Sequence, residues 1–126
     1  MAAIVIALLA GWSQPTEADA LEGYATYMSP GVMDTVISNR GFGYADGIAL
    51  NGAGDMGRNV WLVWKDGTIT GPLPVVDCAQ ENHYLDRERQ GRVAEVSAEL
   101  AQEKNFYGVG PVPVTVLFEA PRMGWN

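Results

Sequence analysis

The sequence predicts a single small domain, mainly β, that closes into a barrel and carries one short helix. The chain has 126 residues, which is long enough for one compact domain and too short for two. Apolar residues make up 48% of the chain, so it can build a core. Short strand-like segments are joined by turns that use many of the 15 glycines and 7 prolines, as in small barrels and sandwiches. A closed barrel leaves no exposed sheet edge, which favours it in a protein of this size.

The first half of the chain contains three predicted strands. Residues 22–28 alternate polar and apolar side chains, as a half-buried strand does. A turn at Pro30-Gly31 leads into residues 32–37, which we predict to be a second, weaker strand. The glycine-rich stretch 38–58 is predicted to be mostly loop, with one short strand at residues 47–50.

The middle of the chain predicts a hairpin. Residues 59–65 (NVWLVWK) are apolar on both faces, as a strand buried on two sides should be. Asp66-Gly67 is a strong hairpin-turn signal, and residues 68–70 start the return strand. The prolines in residues 71–74 interrupt that strand, so we expect a bulge or a crossing before residues 75–77.

The last third of the chain contains the predicted helix and the closing strand. Ser97 can cap the helix, and Glu99 lies in its positively polarised first turn. The apolar stripe of the helix consists of Leu100, Ala101 and Phe106. Residues 112–118 (VPVTVLF) form the final strand.

Charge and residue counts exclude several kinds of partner and site. The net charge is −7 and the basic residues are scattered, which argues against nucleic acid and against an anionic membrane surface. Partners should therefore be neutral or basic. A single cysteine, Cys78, and a single histidine, His83, exclude a disulfide framework and a cysteine or histidine metal cluster. A calcium site made only of carboxylates is still possible, although the sequence has no EF-hand pattern. Apart from that, we expect no bound metal and no cofactor. We expect the protein to be a monomer.

The amino terminus predicts export. Residues 2–11 form an uncharged apolar run, about half the length of a membrane-spanning helix. Ala18-Asp19-Ala20 follows, a pattern suited to signal peptidase. We therefore expect residues 1–20 to be a signal peptide or apolar leader, residues 21–126 to be the domain, and the protein to be secreted or periplasmic, in the cell envelope. The run has no lysine or arginine before it, so a buried strand or helix of the domain is the alternative.

Three segments resemble one known family. Residues 75–77 (VVD) end a hydrophobic strand in an aspartate, residues 91–97 (GRVAEVS) run from a short strand into a serine-capped helix, and residues 108–116 (GVGPVPVTV) combine a glycine turn with a closing strand. A weaker match lies at residues 24–31. Together these segments resemble the RlpA-like family, named for rare lipoprotein A. The resemblance implies a six-stranded double-psi β-barrel.

The resemblance also implies a function and a reduced active site. Lytic transglycosylases of the family cleave peptidoglycan with an aspartate, a glutamate and a histidine. Asp77 matches the aspartate, residues 38–43 hold no acid where the glutamate is expected, and Asn51 is the nearest counterpart of the histidine. The leading hypothesis is an exported, cell-wall or polysaccharide-associated protein, a weak or degenerate lytic transglycosylase. The alternative is a non-catalytic binding or structural module of a cell envelope or a phage particle, and whether the chain is an enzyme stays open.

Asp77 is the predicted catalytic residue. Cleavage of a glycosidic bond needs an acid that protonates the leaving oxygen and usually a second carboxylate. Asp34, Asp55, Asp86 and Glu95 are candidates for the second carboxylate, and nothing in their spacing selects one. The alternative role for Asp77 is structural, with its carboxylate accepting backbone hydrogen bonds and fixing a loop.

Asn51, Trp61, His83 and Arg87 are the predicted substrate-binding residues. Trp61 and Trp64 lie on opposite faces of their strand, so at least one indole can be exposed and stack on a sugar. The alternative is that both indoles are buried in the core. His83 and Arg87 lie in a stretch dense in charges of both signs, which is either a solvated loop or a contact for polar groups of a partner. A thiol hydrolase built on Cys78 and His83 is a distant third hypothesis, because Cys78 fits better as a small buried residue.

Overall fold

The computed structural model describes residues 20–41, 43–78 and 91–121 of the protein. These residues form six strands, two helices and a 3₁₀ turn at Ala53–Asp55. The strands are β1 (Ala20–Tyr27), β2 (Ile48–Leu50), β3 (Asn59–Trp64), β4 (Ile69–Cys78), β5 (Arg92–Val96) and β6 (Val112–Leu117). The helices are α1 (Val32–Asn39) and α2 (Ala98–Glu103).

The six strands close into one barrel, in the order β1-β5-β2-β4-β3-β6 around its circumference. β1 runs parallel to β5, and β2 runs parallel to β4. The other neighbouring strands are antiparallel, including β6 and β1, which complete the circle. The predicted mainly β, six-stranded double-psi barrel is therefore confirmed, and the segments predicted around residues 59–65, 73–77 and 112–118 all belong to it.

The predicted strand at residues 32–37 is wrong, because this segment lies in helix α1. Its β-branched residues suggested a strand. Met33 and Ile37 are four residues apart, so they lie on the same side of a helix. Both are buried against the outside of the barrel, next to Ala49 and Val76. The described residues therefore contain two short helices where the sequence predicted one.

Helix α2 begins as predicted. The Oγ of Ser97 accepts a hydrogen bond from the Leu100 N–H at 3.1 Å, which satisfies a donor that the first turn of a helix leaves open. Leu100 and Ala101 of this helix, with Phe106 after it, join the apolar cluster of the barrel interior. α2 therefore packs against the barrel through the stripe that the sequence predicted.

Strand β4 is continuous in spite of its prolines. The expected irregularity is present as a register shift against β3, between Val60 and Leu62. Trp61 lies within this shift and against Gly71, where an added Cβ would come within 2.7 Å of the indole ring. Glycine is required at this position because the Trp61 ring occupies the space of a side chain.

The interior of the barrel is filled by apolar side chains. The buried members of this cluster are Ala25, Ile48, Leu50, Val60, Leu62, Trp64, Leu73, Val75, Ala94, Val96, Leu100, Ala101, Phe106, Val114 and Val116. Trp64 thus belongs to the interior, whereas Trp61 packs in a separate cluster with Ala20, Val63 and Leu117. The two indoles lie on opposite faces of β3, as predicted.

The predicted leader lies outside the described residues, except for its last residue. Ala20 begins β1 and pairs with Leu117 of β6. Among the described residues, neither helix is long and apolar enough to cross a membrane.

Candidate functional site

A register shift between β2 and β4 turns Asp77 to the outside of the barrel. Ile48 pairs with Val75, but the next residue, Ala49, pairs with Asp77, so β4 carries one extra residue. Regular alternation from the buried Val75 would point Asp77 into the core. Because of the extra residue, Asp77 shares the side of Ala49, which packs outside the barrel interior, beneath α1.

A similar shift in the other parallel pair turns Glu95 to the same side. Ala25 of β1 pairs with Ala94, after one extra residue in β5. Thr26 then pairs with Glu95, and Glu95 pairs on its other side with Ala49. Paired residues face the same side of a sheet. The side chains that we call the outer row therefore lie side by side on β1, β5, β2 and β4: Thr26, Glu95, Ala49 and Asp77.

Asp77 is held in an ion pair by the residue that follows α1. Nη2 of Arg40 donates a hydrogen bond to Oδ1 of Asp77 at 2.9 Å, and the Cys78 N–H donates to the same oxygen at 3.0 Å. The Asp77 side chain is 31% exposed. Sequence reasoning missed Arg40 because it depends on α1, which was predicted as a strand. Asp77 is thus an anchored carboxylate at the surface.

The structure places one candidate second carboxylate in the same row as Asp77. Glu95 lies two strands from Asp77, so their backbones are about 10 Å apart at the usual spacing of strands. Asp55 lies further along the chain from β2 and is paired with Arg58 at 3.2 Å. Asp34 lies on α1, and Asp86 lies outside the described residues. The row therefore brings together Asp77 and Glu95, with the small Ala49 between them.

A cleft of about 410 Å³ opens where β2 ends and β5 begins. Residues of its walls include Leu21, Glu22, Asn51, Asp55, Gly91 and Arg92. Nδ2 of Asn51 donates a hydrogen bond to the Arg92 carbonyl at 2.8 Å, and the Tyr24 N–H donates to the Gly91 carbonyl at 2.9 Å. The start of β5 is therefore fixed from both neighbouring strands.

Polar groups and one aromatic ring surround this cleft. Tyr24 pairs with Arg92 and is 45% exposed, so its ring lies at the surface beside the cleft. Oδ1 of Asn51 and Oγ1 of Thr26 are buried without a hydrogen-bond partner. Buried polar atoms nearly always have a partner, so Oδ1 of Asn51 marks a polar position in the cleft wall that the fold does not satisfy.

The predicted substrate-binding residues have different positions. Asn51 lines the cleft, as described above. Trp61 is half-buried in its apolar cluster on the outside of the barrel and does not line the cleft. His83 and Arg87 lie outside the described residues. Tyr24 was not singled out from the sequence, although its place in an alternating strand is a signal for an exposed aromatic ring.

A separate acidic site joins the start of β2 to helix α2. Asp46 accepts a hydrogen bond from the Gly47 N–H at 2.8 Å through Oδ1 and one from Oγ of Ser97 at 3.2 Å through Oδ2. Burial raises the pKa of Asp46, and the nearby carboxylates of Glu99 and Asp34 raise it further, against the lowering effect of the two hydrogen bonds. Among the described residues, no group of three or more acidic, histidine or cysteine side chains is placed to hold a metal ion.

The fold is similar to that of a bacterial expansin. The crystal structure of the apo expansin from Clavibacter michiganensis superposes with a TM-score of 0.52 and 16% sequence identity, over 83% of this chain and 52% of that chain. The protein thus spans about half the length of this neighbour. No protein-family model and no curated protein matches the sequence. The likeness supports the double-psi barrel fold and does not single out the RlpA-like family within it.

The raised pKa of Asp46 predicts a pH dependence of stability. The folded state holds this proton to a higher pH than the unfolded chain, so the stability contributed by protonated Asp46 is lost as pH rises from about 4 through the raised pKa. Asp46→Asn keeps the shape of the side chain and should flatten this fall in melting temperature. Asp66 is the matched control, because hydrogen bonds from Thr68 lower the pKa of Asp66 and Asp66→Asn should lose stability at neutral pH. If both substitutions changed the pH dependence of the melting temperature in the same direction, the raised pKa of Asp46 would be contradicted.

Proposed function

We propose that this protein binds a polysaccharide, along the cleft, Tyr24 and the neighbouring end of the outer row at Glu95, without depending on cleavage. The supporting observation is the continuity of this surface, because Tyr24, Arg92 and Asn51 adjoin the row of Thr26 and Glu95. An exposed aromatic ring stacks on the apolar face of a sugar, and carboxylate, amide and guanidinium groups bind its hydroxyls.

Peptidoglycan is the glycan that we propose. The RlpA-like resemblance supports this choice, and a cell-envelope location follows from the expected leader. The position of Asp77 favours binding over cleavage, because its Oδ1 already accepts two hydrogen bonds. Ala49, which is only 3% exposed, separates Asp77 from Glu95 beneath α1, so the two carboxylates do not face one open gap.

The stacking role of Tyr24 can be tested by substitution. Tyr24→Ala should weaken co-sedimentation with insoluble peptidoglycan about tenfold, near the lower end of the range of about 1–3 kcal/mol for a nucleic-acid base stacked on an aromatic ring, because a sugar face is less flat than a base. Tyr107→Ala is the matched control, because Tyr107 is 38% exposed and packs on Tyr27 at the other end of β1. Equal weakening by both substitutions, or by neither, would count against the proposed surface.

Weak glycan cleavage is the second candidate function, and the placement of Asp77 and Glu95 in one row favours it. From the binding proposal we expect no release of soluble fragments from purified peptidoglycan at acidic to neutral pH. Asp77→Asn should then bind like the wild type and lose at most about 1 kcal/mol of stability, because the Arg40–Asp77 pair is exposed. Fragment release by the wild type that falls about 10²–10⁴-fold in Asp77→Asn would establish cleavage instead.

Export with removal of the leader also belongs to this proposal. It is supported by the apolar run and the Ala18-Asp19-Ala20 pattern. Cleavage after Ala20 would remove only the first residue of β1 from the barrel. Mass spectrometry of the secreted protein should find Leu21 as the first residue, and an intact chain retained in the cytoplasm would overturn the proposal.

A further inference from the structure

The cleft holds a positive and a negative group, and no ion pair among the described residues compensates either of them. Among the described residues, Arg40 and Arg58 each pair with an aspartate, whereas Arg92 has no carboxylate within 4.0 Å. Glu22, on the neighbouring strand, faces the same cleft and likewise has no ion pair within the described part of the chain. A half-buried guanidinium without a partner is unexpected in a protein of net charge −7, where carboxylates are in excess.

The two groups are carried by neighbouring parallel strands. Arg92 pairs with Tyr24, and Glu22 lies two residues before Tyr24, so the backbones of Glu22 and Arg92 are about 8 Å apart at the usual strand spacing and rise. The hydrogen bonds from Tyr24 to Gly91 and from Asn51 to Arg92 fix the backbone at this point. The backbone that carries Arg92 is therefore preorganised, which lowers the cost of binding a ligand there.

The cleft between Glu22 and Arg92 suits a ligand group that carries both a positive and a negative charge. A guanidinium binds a carboxylate through two parallel hydrogen bonds, and a carboxylate such as Glu22 accepts from an ammonium ion. The cleft volume of about 410 Å³ is within the range of small-molecule sites. Asp55 also lines the cleft, but its carboxylate is paired with Arg58. Asp55 therefore attracts the ligand's ammonium ion less strongly than Glu22 does.

We propose that the cleft binds a zwitterionic, amino-acid-like group, with Arg92 on its carboxylate and Glu22 on its ammonium ion. This inference rests on the proposed function and deepens it, because peptide stems of peptidoglycan carry ammonium ions as well as carboxylates, whereas the bare N-acetylated sugar chains carry lactyl carboxylates and no ammonium ion. The cleft thus selects peptidoglycan that retains its stems, while the exposed ring of Tyr24 beside the cleft stacks on the sugar chain.

Pull-down with two forms of one polymer tests this selection, with each form coupled to beads through its sugar chains because chains without the cross-linking stems are soluble. Intact peptidoglycan should bind the wild type about tenfold more tightly than the same material stripped of its stems by an amidase, as expected for a charge-assisted contact. Arg92→Gln and Glu22→Gln should each remove this preference, so that each variant binds intact peptidoglycan no more tightly than it binds stripped chains. Lys65→Gln, an equal loss of charge at the exposed β3–β4 hairpin, should keep the preference.

A soluble stem peptide with a free diamino-acid end gives an independent readout. It should compete with intact peptidoglycan for the wild type, and its N-acetylated and C-amidated forms should compete about tenfold less well. Equal binding of intact and stripped chains would overturn the zwitterion site and leave the polysaccharide surface standing. Binding to neither form would overturn both proposals. Melting curves of the Arg92→Gln and Glu22→Gln variants distinguish the loss of a ligand contact from a failure to fold. The two variants test the same cleft from different strands.

Discussion

The outer face of this barrel depends on two single-residue insertions in its parallel strand pairs. Each strand alternates its side chains between core and surface, so one extra residue reverses every position beyond it. If the same residues of β4 alternated regularly, Asp77 would share the side of Val75 in the core. In a regular β5, Glu95 would share the side of Val93, which packs against the same core. Burying an unpaired carboxylate costs several kcal/mol, so the insertions and the acidic residues beyond them require each other.

Helix α1 explains why this face is apolar at one place and charged at the next. Its buried residues Met33 and Ile37 cover Ala49, and a larger side chain at residue 49 would hold the helix away from the sheet. The same packing brings Arg40, at the end of the helix, to Asp77. The helix therefore both completes the apolar packing outside the barrel and neutralises the carboxylate that the β4 insertion exposes.

The sequence predicted those features whose cause is local. The Asp66-Gly67 hairpin, the Ser97 cap and the alternating or doubly apolar strands each depend on neighbours within a few residues. Asn51 was chosen from a resemblance and does line the cleft. The insertions could not be predicted, since extra residues in β4 and β5 are defined only by their partner strands. The Arg40–Asp77 pair spans 37 residues and depends on a helix whose β-branched sequence resembles a strand.

The filled interior determines where a ligand can bind. In a barrel of six strands the side chains of the inner faces occupy the whole lumen, and here they form one apolar cluster closed by Phe106 and α2. Binding must therefore use the outside, where α1 covers one region and the cluster around Leu117 buries another. Within the described residues, the region at the start of β5 differs from both. It combines an exposed ring at Tyr24, a cleft, and charges at Glu22 and Arg92 that form no ion pair with another described residue.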